Sequence, residues 1–298
     1  MITDLDVADV LALLRAATAA DGVRPLSEEA ELGLQHPSCG HDVVVRDGDR
    51  PVGYARLDGG VAEVVVHPDF RRRGLGTELL TRVLELADGD PLHVWAHGDL
   101  PGSAELLAPH GFERARVLLQ MRRDLAGIDP DPRPALPDGV AVHAFRPGRD
   151  EDAWLRLNAR AFAHHPEQGS WTAEDLRLRE AEPWFDPAGF LLAWRGDPDE
   201  GGVLLGSHWT KVHPAGSVGG AVADEPVGEV YVLGIDPDAQ GLRLGRALTD
   251  LGLAHLRGRG LGQVLLYVEE DNTAAVRLYE GRGFRRFSVD VSWRRAPS

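Results

Sequence analysis

The chain has 298 residues, enough for two ordinary domains that each bury a core. Its 32 basic and 47 acidic residues give a formal net charge of −15, and no basic tract interrupts it, which speaks against general binding to nucleic acid or to anionic membranes. Cys39 is the only cysteine, so no internal disulfide forms, while the acidic start lacks a signal peptide's basic region and no run is apolar for the roughly 18 residues of a membrane span, so a cytoplasmic protein is expected.

Residues 7–20 read as a helix, with Val7, Val10, Leu11 and Leu14 on one face. Residues 43–45 and 52–57 read as strands around the turn Asp47-Gly48-Asp49, and 63–66 as the next strand. Leu75, Leu79, Val83 and Leu86 recur at helical spacing, and 93–96 and 118–122 read as later strands. Pro130, Pro132, Pro134 and Pro137 cannot continue a helix or a central strand, so 129–138 is expected to be a linker. The second half repeats the order. A strand at 140–145 precedes helices at 153–163 and 172–180, the latter capped by Ser170 or Thr172. Strands follow at 190–194 and 203–212, then a Gly/Ala-rich loop from Pro214 to Pro226 and a strand at 230–235. Leu244, Leu248 and Leu251 mark a helix, 264–268 a strand, and Asn272 or Thr273 caps a helix through Tyr279, before a closing strand at 285–293. The expected fold class is α/β, with a mixed, largely antiparallel sheet in two tandem domains, 1–128 and 139–298.

One pattern is written twice. Glu63-Val64-Val65-Val66-His67-Pro68 runs into Arg71-Arg72-Arg73-Gly74-Leu75-Gly76, and the strand from Glu229 to Pro237 runs into Gln240-Gly241-Leu242-Arg243-Leu244-Gly245. Each copy is a β-branched run, a Pro-containing turn, a glycine loop and an amphipathic helix, which presents free N–H groups to an anion. These motifs resemble the (Gln/Arg)-x-x-Gly-x-(Gly/Ala) signature of the GNAT superfamily of acyl-CoA-dependent N-acyltransferases. The first copy fits fully; the second has Arg243 where glycine is usual. The resemblance implies two tandem GNAT domains with acetyl-CoA as co-substrate. Its CoA-binding segments in the second half would be Leu233, Gly234 and Ile235, the loop from Gln240 to Arg246, and Asn272, Thr273, Ala274, Ala275, Val276 and Arg277. In the first half they would be Val64, Val65 and Val66, with Arg71, Arg72, Arg73, Gly74, Leu75 and Gly76. The strand before each loop is expected to splay from its neighbour so that its backbone pairs with the pantetheine arm.

The copies differ in chemical equipment. Aligning Pro68 with Pro237 sets Glu229 against Gly60; aligning Gly111-Phe112 with Gly283-Phe284 sets Tyr279 against Leu107 and Asn272 against Leu100. The first half thus lacks the carboxylate, phenol and amide of the second, and is expected to be catalytically silent. Acylation needs a neutral amine, and an α-amino group with a pKa of about 7.7–8.0 is mostly protonated at pH 7. Glu229 is assigned as the general base and Tyr279 as the general acid that protonates the leaving thiolate, with a backbone N–H near Leu233 polarising the thioester carbonyl. The plainer readings are a strand-start carboxylate for Glu229 and a core aromatic for Tyr279.

Segments over nearly the whole chain, among them Ala19–Val23, Trp95–Gly98, His165–Gly169, Glu182–Pro187, His208–Pro214 and Leu265–Asn272, look like the mycothiol synthase family of actinobacteria. That family transfers acetyl from acetyl-CoA to the cysteinyl amine of a cysteine–glucosamine–inositol pseudodisaccharide. The resemblance implies that Glu28, Glu167, Lys211, Glu229 and Tyr267 contact this small-molecule acceptor and that no metal is needed; from composition no nucleic-acid or membrane partner is expected, and a monomer is expected. Lys211 is the only lysine beside 31 arginines, which singles it out in a composition that favours arginine. Glu28 and Glu167 also read as ordinary surface charge. Two rival functions stand at this level: acetylation of another amine, such as an aminoglycoside or a protein N-terminus, and non-catalytic sensing of acyl-CoA. His164, His165, His208 and His213 lack the spacing of a metal site.

Overall fold

The computed structural model describes residues 4–35, 40–215 and 225–297, and does not describe the side chains of Asp4–Asp6, Gln35, Pro166 and Glu167. The first half runs α1 (Asp4–Asp21), α2 (Glu28–Gln35), β1 (His41–Asp47), β2 (Arg50–Asp58), β3 (Val61–Val66), α3 (Leu75–Ala87), β4 (Leu92–Ala96), α4 (Pro101–Leu107) and β5 (Glu113–Asp124). The second runs β6 (Val140–Ala144), α5 (Glu151–Ala161), α6 (Pro166–Gly169), α7 (Ala173–Glu180), β7 (Phe190–Arg195), β8 (Val203–His213), β9 (Val227–Ile235), α8 (Leu244–Gly258), β10 (Gln263–Glu269), α9 (Thr273–Glu280) and β11 (Arg285–Arg295). The sequence reading omits α2, α4 and α6, of eight, seven and four residues. Thr172 caps α7 in a reciprocal capping box with Asp175. Asn272 caps α9 by accepting from the Ala275 N–H at 3.1 Å.

The eleven strands among the described residues form one sheet in the order β1-β2-β3-β4-β11-β5-β10-β9-β8-β7-β6. Only β3–β4 and β9–β10 are parallel pairs. The two halves exchange their last strands. β11, the end of the chain, pairs with β4 of the first half, Trp293 opposite Val94. In turn β5 pairs with β10 of the second half, Met121 opposite Leu266. The cores follow the exchange. Val291 and Trp293 of β11 pack with Val52, Ala62, Leu79 and Val83 of the first half, while Leu119 and Met121 of β5 pack with Leu253, Leu256 and Val276 of the second. The two sequence segments 1–128 and 139–298 therefore do not each close a sheet of their own.

This topology gives the proline-rich run a task. It must carry the chain from β5 to the far edge strand β6, five strand spacings or roughly 24 Å. Proline favours the extended conformation that covers such a distance. No described helix is long and apolar enough to cross a membrane.

Candidate active site

In both halves the parallel strand pair opens into a V. β9 and β10 pair at Gly228, Glu229 and Val230, and the pairing stops there. Leu233, Gly234 and Ile235 continue β9 with no strand on that side. In the first half, β3 and β4 pair from Val61 to Glu63, leaving Val64, Val65 and Val66 in the same position. Each V faces a helix start. The α8 ladder begins with the Ala247 N–H donating to Arg243 (3.2 Å), and the α3 ladder with Glu78 donating to Gly74 (3.0 Å). The N–H groups of Leu244, Gly245 and Arg246, and of Leu75, Gly76 and Thr77, precede those ladders and point out of the helix ends, as an anion site needs. A cavity of about 870 Å³ opens in the first-half V, lined by Val64, Val66, Gly74, Gly76 and His97 among others. Arg71 does not offer its charge to that cavity, because Asp21 holds its guanidinium with bonds of 2.7 and 2.6 Å. Arg72 is likewise paired, with Glu105.

The loop backbone explains the glycine signature and its exception. Two loop positions are left-handed in each copy: Arg72 (φ 62) and Gly74 (φ 86) in the first, Gly241 (φ 81) and Arg243 (φ 61) in the second. A Cβ at Gly74 or Gly241 would meet nothing within 4 Å. Glycine is thus favoured here by φ and not by space, and each copy has one glycine and one arginine at the two strained positions. Arg243→Gly should stabilise the protein by about 0.5–1 kcal/mol, less strain offset in part by a freer unfolded chain, as read by urea unfolding.

The carboxylate is aimed by an irregularity. Along β8–β9, Trp209 lies opposite Val232 and Thr210 opposite Val230, so Tyr231 is an extra residue in β9. The first half has no such shift between β2 and β3. The counterpart of Glu229 is therefore Val61, not Gly60 as the sequence alignment has it, and it still bears no carboxylate. Leu107 does occupy the place of Tyr279: each accepts the N–H five residues on, Phe112 (3.3 Å) and Phe284 (3.0 Å). The extra residue also decides the face. In a regular strand Glu229 would share a side with Leu233. Instead Glu229 lies opposite Lys211, on the side of Trp209 and Tyr231, while Leu233 packs toward α8.

That side of the sheet gathers residues from both halves. Glu229 is 7% exposed, and its Oε2 lies 2.5 Å from His213 Nε2. Lys211 is 5% exposed; its ammonium lies 2.5 Å from Glu28 of α2, 4.3 Å from the Trp184 ring centroid and 5.1 Å from that of Tyr231. Burial pushes the Glu28 carboxyl up, but the ammonium and its hydrogen bond outweigh this and hold it below the usual carboxylate value. Desolvation offsets much of the attraction in such a pair, so it is a weak source of stability. Tyr267 accepts from Gln120 Nε2 of β5 at 2.8 Å. Burial, with the Glu229 and Asp290 carboxylates, raises its phenol well above the usual value. Arg179 donates to Tyr231 Oη (2.8 Å).

Of the predicted acceptor residues, Glu28, Lys211, Glu229 and Tyr267 thus meet on one face; the side chain of Glu167 lies outside the described structure, as do loop residues 216–224. Tyr279 packs against Phe284 with centroids 5.6 Å apart, and burial raises its phenol well above the usual value. Sequence reasoning missed His213 as the partner of Glu229. Strand periodicity was the available signal, because His213 lies two residues from Lys211 and shares its face. Among the described residues, no group of three or more His, Cys, Asp or Glu is placed to hold a metal.

Residues 9–112 and 151–284 match the model of the acetyltransferase (GNAT) family. A mycothiol acetyltransferase of Geodermatophilus obscurus is 72% identical, covering 97% of this chain and 94% of its own. Another from Thermobispora bispora is 58% identical over 96% and 95%. Among solved structures, a tandem GNAT protein from the clavulanic acid biosynthesis pathway superposes with a TM-score of 0.72 at 25% identity, covering 99% of this chain and 96% of its own. A GCN5-related N-acetyltransferase from Sphaerobacter thermophilus gives a TM-score of 0.71, also at 25% identity. With both matched regions falling on the two strand–loop–helix units, and a relative this similar over nearly its full length, the chain is an acyltransferase that belongs to the GNAT family and, within it, to the mycothiol acetyltransferases.

Proposed function

We propose that this enzyme, as a cytoplasmic monomer, transfers the acetyl group of acetyl-CoA to the cysteinyl amine of the cysteine–glucosamine–inositol pseudodisaccharide, giving mycothiol. The observation that carries this reading is the cluster of buried Glu229 and Lys211 with half-buried Glu28 and Tyr267 beside the open end of the β9–β10 V, in a chain so similar to mycothiol acetyltransferases. A polyhydroxyl molecule with an ammonium group suits carboxylates, a lysine and a phenol as bonding partners. One chain supplies the cluster from both of its halves, which supports action as a monomer.

In the proposed reaction Glu229 takes a proton from the acceptor ammonium. The freed amine attacks the thioester carbonyl carbon, a C–N bond forms, and collapse of the tetrahedral intermediate breaks the C–S bond. Tyr279 donates its proton to the departing thiolate, the proton shed by the attacking nitrogen as the amide forms returns to the Tyr279 oxygen, and Glu229 releases the proton it took to solvent. His213 holds Glu229 Oε2, which leaves Oε1 for the amine. The N–H groups at the start of α8 take the pyrophosphate of CoA. The first half, with Val61 and Leu107 in place of the base and acid, holds acyl-CoA without turning it over.

Because burial raises the Tyr279 phenol, it stays protonated as pH rises. The expected kcat profile therefore has an acid limb and no alkaline decline from this residue, and Tyr279→Phe should lower kcat about 10²-fold. Steady-state rates between pH 6 and 10 check both. The deciding experiment for the function is mass spectrometry of the purified enzyme with acetyl-CoA and the pseudodisaccharide. A product heavier by one acetyl whose thiol still alkylates is expected. No product with this acceptor, but turnover of an aminoglycoside or a peptide N-terminus, overturns the acceptor; binding of acetyl-CoA with no turnover of any amine overturns the reaction.

A further inference from the structure

The face that bears the acceptor cluster continues into the first half, where it bears a second buried charged group. His97, at the end of β4, lies between two carboxylates. Its Nδ1 is 3.2 Å from Asp290 Oδ2, and its Nε2 is 3.6 Å from Glu63 Oε1. Glu63 is 3% exposed and Asp290 7% exposed. Burial works against a charged imidazole, yet the Asp290 and Glu63 carboxylates beside it outweigh this and raise His97 to about 10, so it is a cation at neutral pH.

Each carboxylate also accepts a backbone hydrogen bond. Asp290 Oδ1 accepts from the Gly98 N–H at 2.8 Å. Glu63 Oε2 accepts from the Ser27 N–H, also at 2.8 Å, across 36 residues of sequence. Ser27 in turn starts α2, its hydroxyl accepting from the Ala30 N–H at 3.2 Å. The next residue is Glu28, whose carboxylate meets Lys211 of the other half. A continuous line of contacts thus runs from β11 through His97 and Glu63 to the first residue of α2 and into the acceptor cluster. Asp290 stands in this line only because β11 is exchanged into the first half.

We infer that Glu63, His97 and Asp290 are positioning residues for the acceptor site: they anchor the Ser27 backbone and thereby hold Glu28 against Lys211. The silent half then contributes more than Glu28 itself, since it supplies the fixed point from which Glu28 reaches across. The arrangement suits that task. Glu63 cannot shift toward solvent without leaving the His97 cation, and His97 is held from its other nitrogen by a residue of the opposite half. An anchor of this kind affects acceptor binding more than chemistry, because none of its members reaches Glu229.

The inference rests on the acceptor assigned above, and the test keeps the two apart. Acceptor KM, acetyl-CoA KM, kcat and thermal midpoint are measured for the wild type, Glu63→Ala, Glu63→Gln and His97→Gln. In Glu63→Gln the amide oxygen still accepts from the Ser27 N–H while the charge facing His97 is lost, so the acceptor KM should rise less than in Glu63→Ala. Glu63→Ala removes the anchor, and His97→Gln removes the cation that fixes it. Each should raise the acceptor KM about tenfold while kcat and the acetyl-CoA KM stay near wild type. If Glu63→Ala does not fold, His97→Gln decides. An unmoved acceptor KM with only a lower thermal midpoint overturns the inference, as does a parallel loss in every parameter. A wild type that is itself silent with the pseudodisaccharide overturns the acceptor assignment and this inference together; an active wild type with an unmoved KM in His97→Gln overturns this inference alone.

Discussion

Glu229→Gln is expected to lower kcat about 10²-fold or more while acetyl-CoA affinity stays unchanged. The substitution keeps the size and shape of the side chain and its contact with His213, so the buried site should survive it. What it removes is the ability to accept a proton. At neutral pH the acceptor amine is largely protonated, and with no base nearby only the small neutral fraction reacts. The loss should shrink at high pH, where the amine deprotonates without help, and this separates a missing base from a distorted site. Acetyl-CoA binding, measured by calorimetry, should be as in the wild type because the V and the α8 N-terminus do not involve this carboxylate. Unchanged turnover would remove Glu229 from the mechanism.

Trp293→Ala has the largest expected effect on stability, about 3–5 kcal/mol, and its damage should appear far from it in sequence. Trp293 is five residues from the end of the sequence and 5% exposed, yet its ring sits in the core of the first half with Val52, Leu79 and Val94. Removing it leaves a cavity under α3 that the surrounding strands cannot close. Hydrogen exchange should therefore show lost protection in β2, β3 and β4, more than 190 residues upstream, while β7 and β8 retain theirs. Loss confined to residues 139–298 would mean that β11 does not stabilise the first half. The same exchange implies that chains cut at the proline-rich run leave each half short of a strand, and that the two fragments restore each other when mixed.

Much of this protein is written locally. The strand, glycine loop and helix can be recognised twice because each depends on neighbours in sequence: β-branched residues, a proline turn, a loop whose glycines reach left-handed φ, and apolar residues at helical spacing. The difference between the copies was legible for the same reason, since a carboxylate or a phenol is either present near the motif or absent. The lone lysine was visible from composition alone, and the structure buries it against Glu28 and Trp184.

Tertiary structure decided the rest. The alternation of residues in β5 and β11 is the same whichever half they join, so no local pattern could reveal that they change places. Strict strand alternation would place Glu229 on the side of Leu233, and one extra residue at Tyr231, set by pairing with β8, turns it to the other. Glu28 reads as surface charge until α2 is laid across the sheet, where burial and an ammonium change its character. In each case the deciding quantity is a contact between residues distant in the chain. A sequence states which groups are available and what their own backbone prefers; which groups share a desolvated space depends on how the whole sheet is assembled.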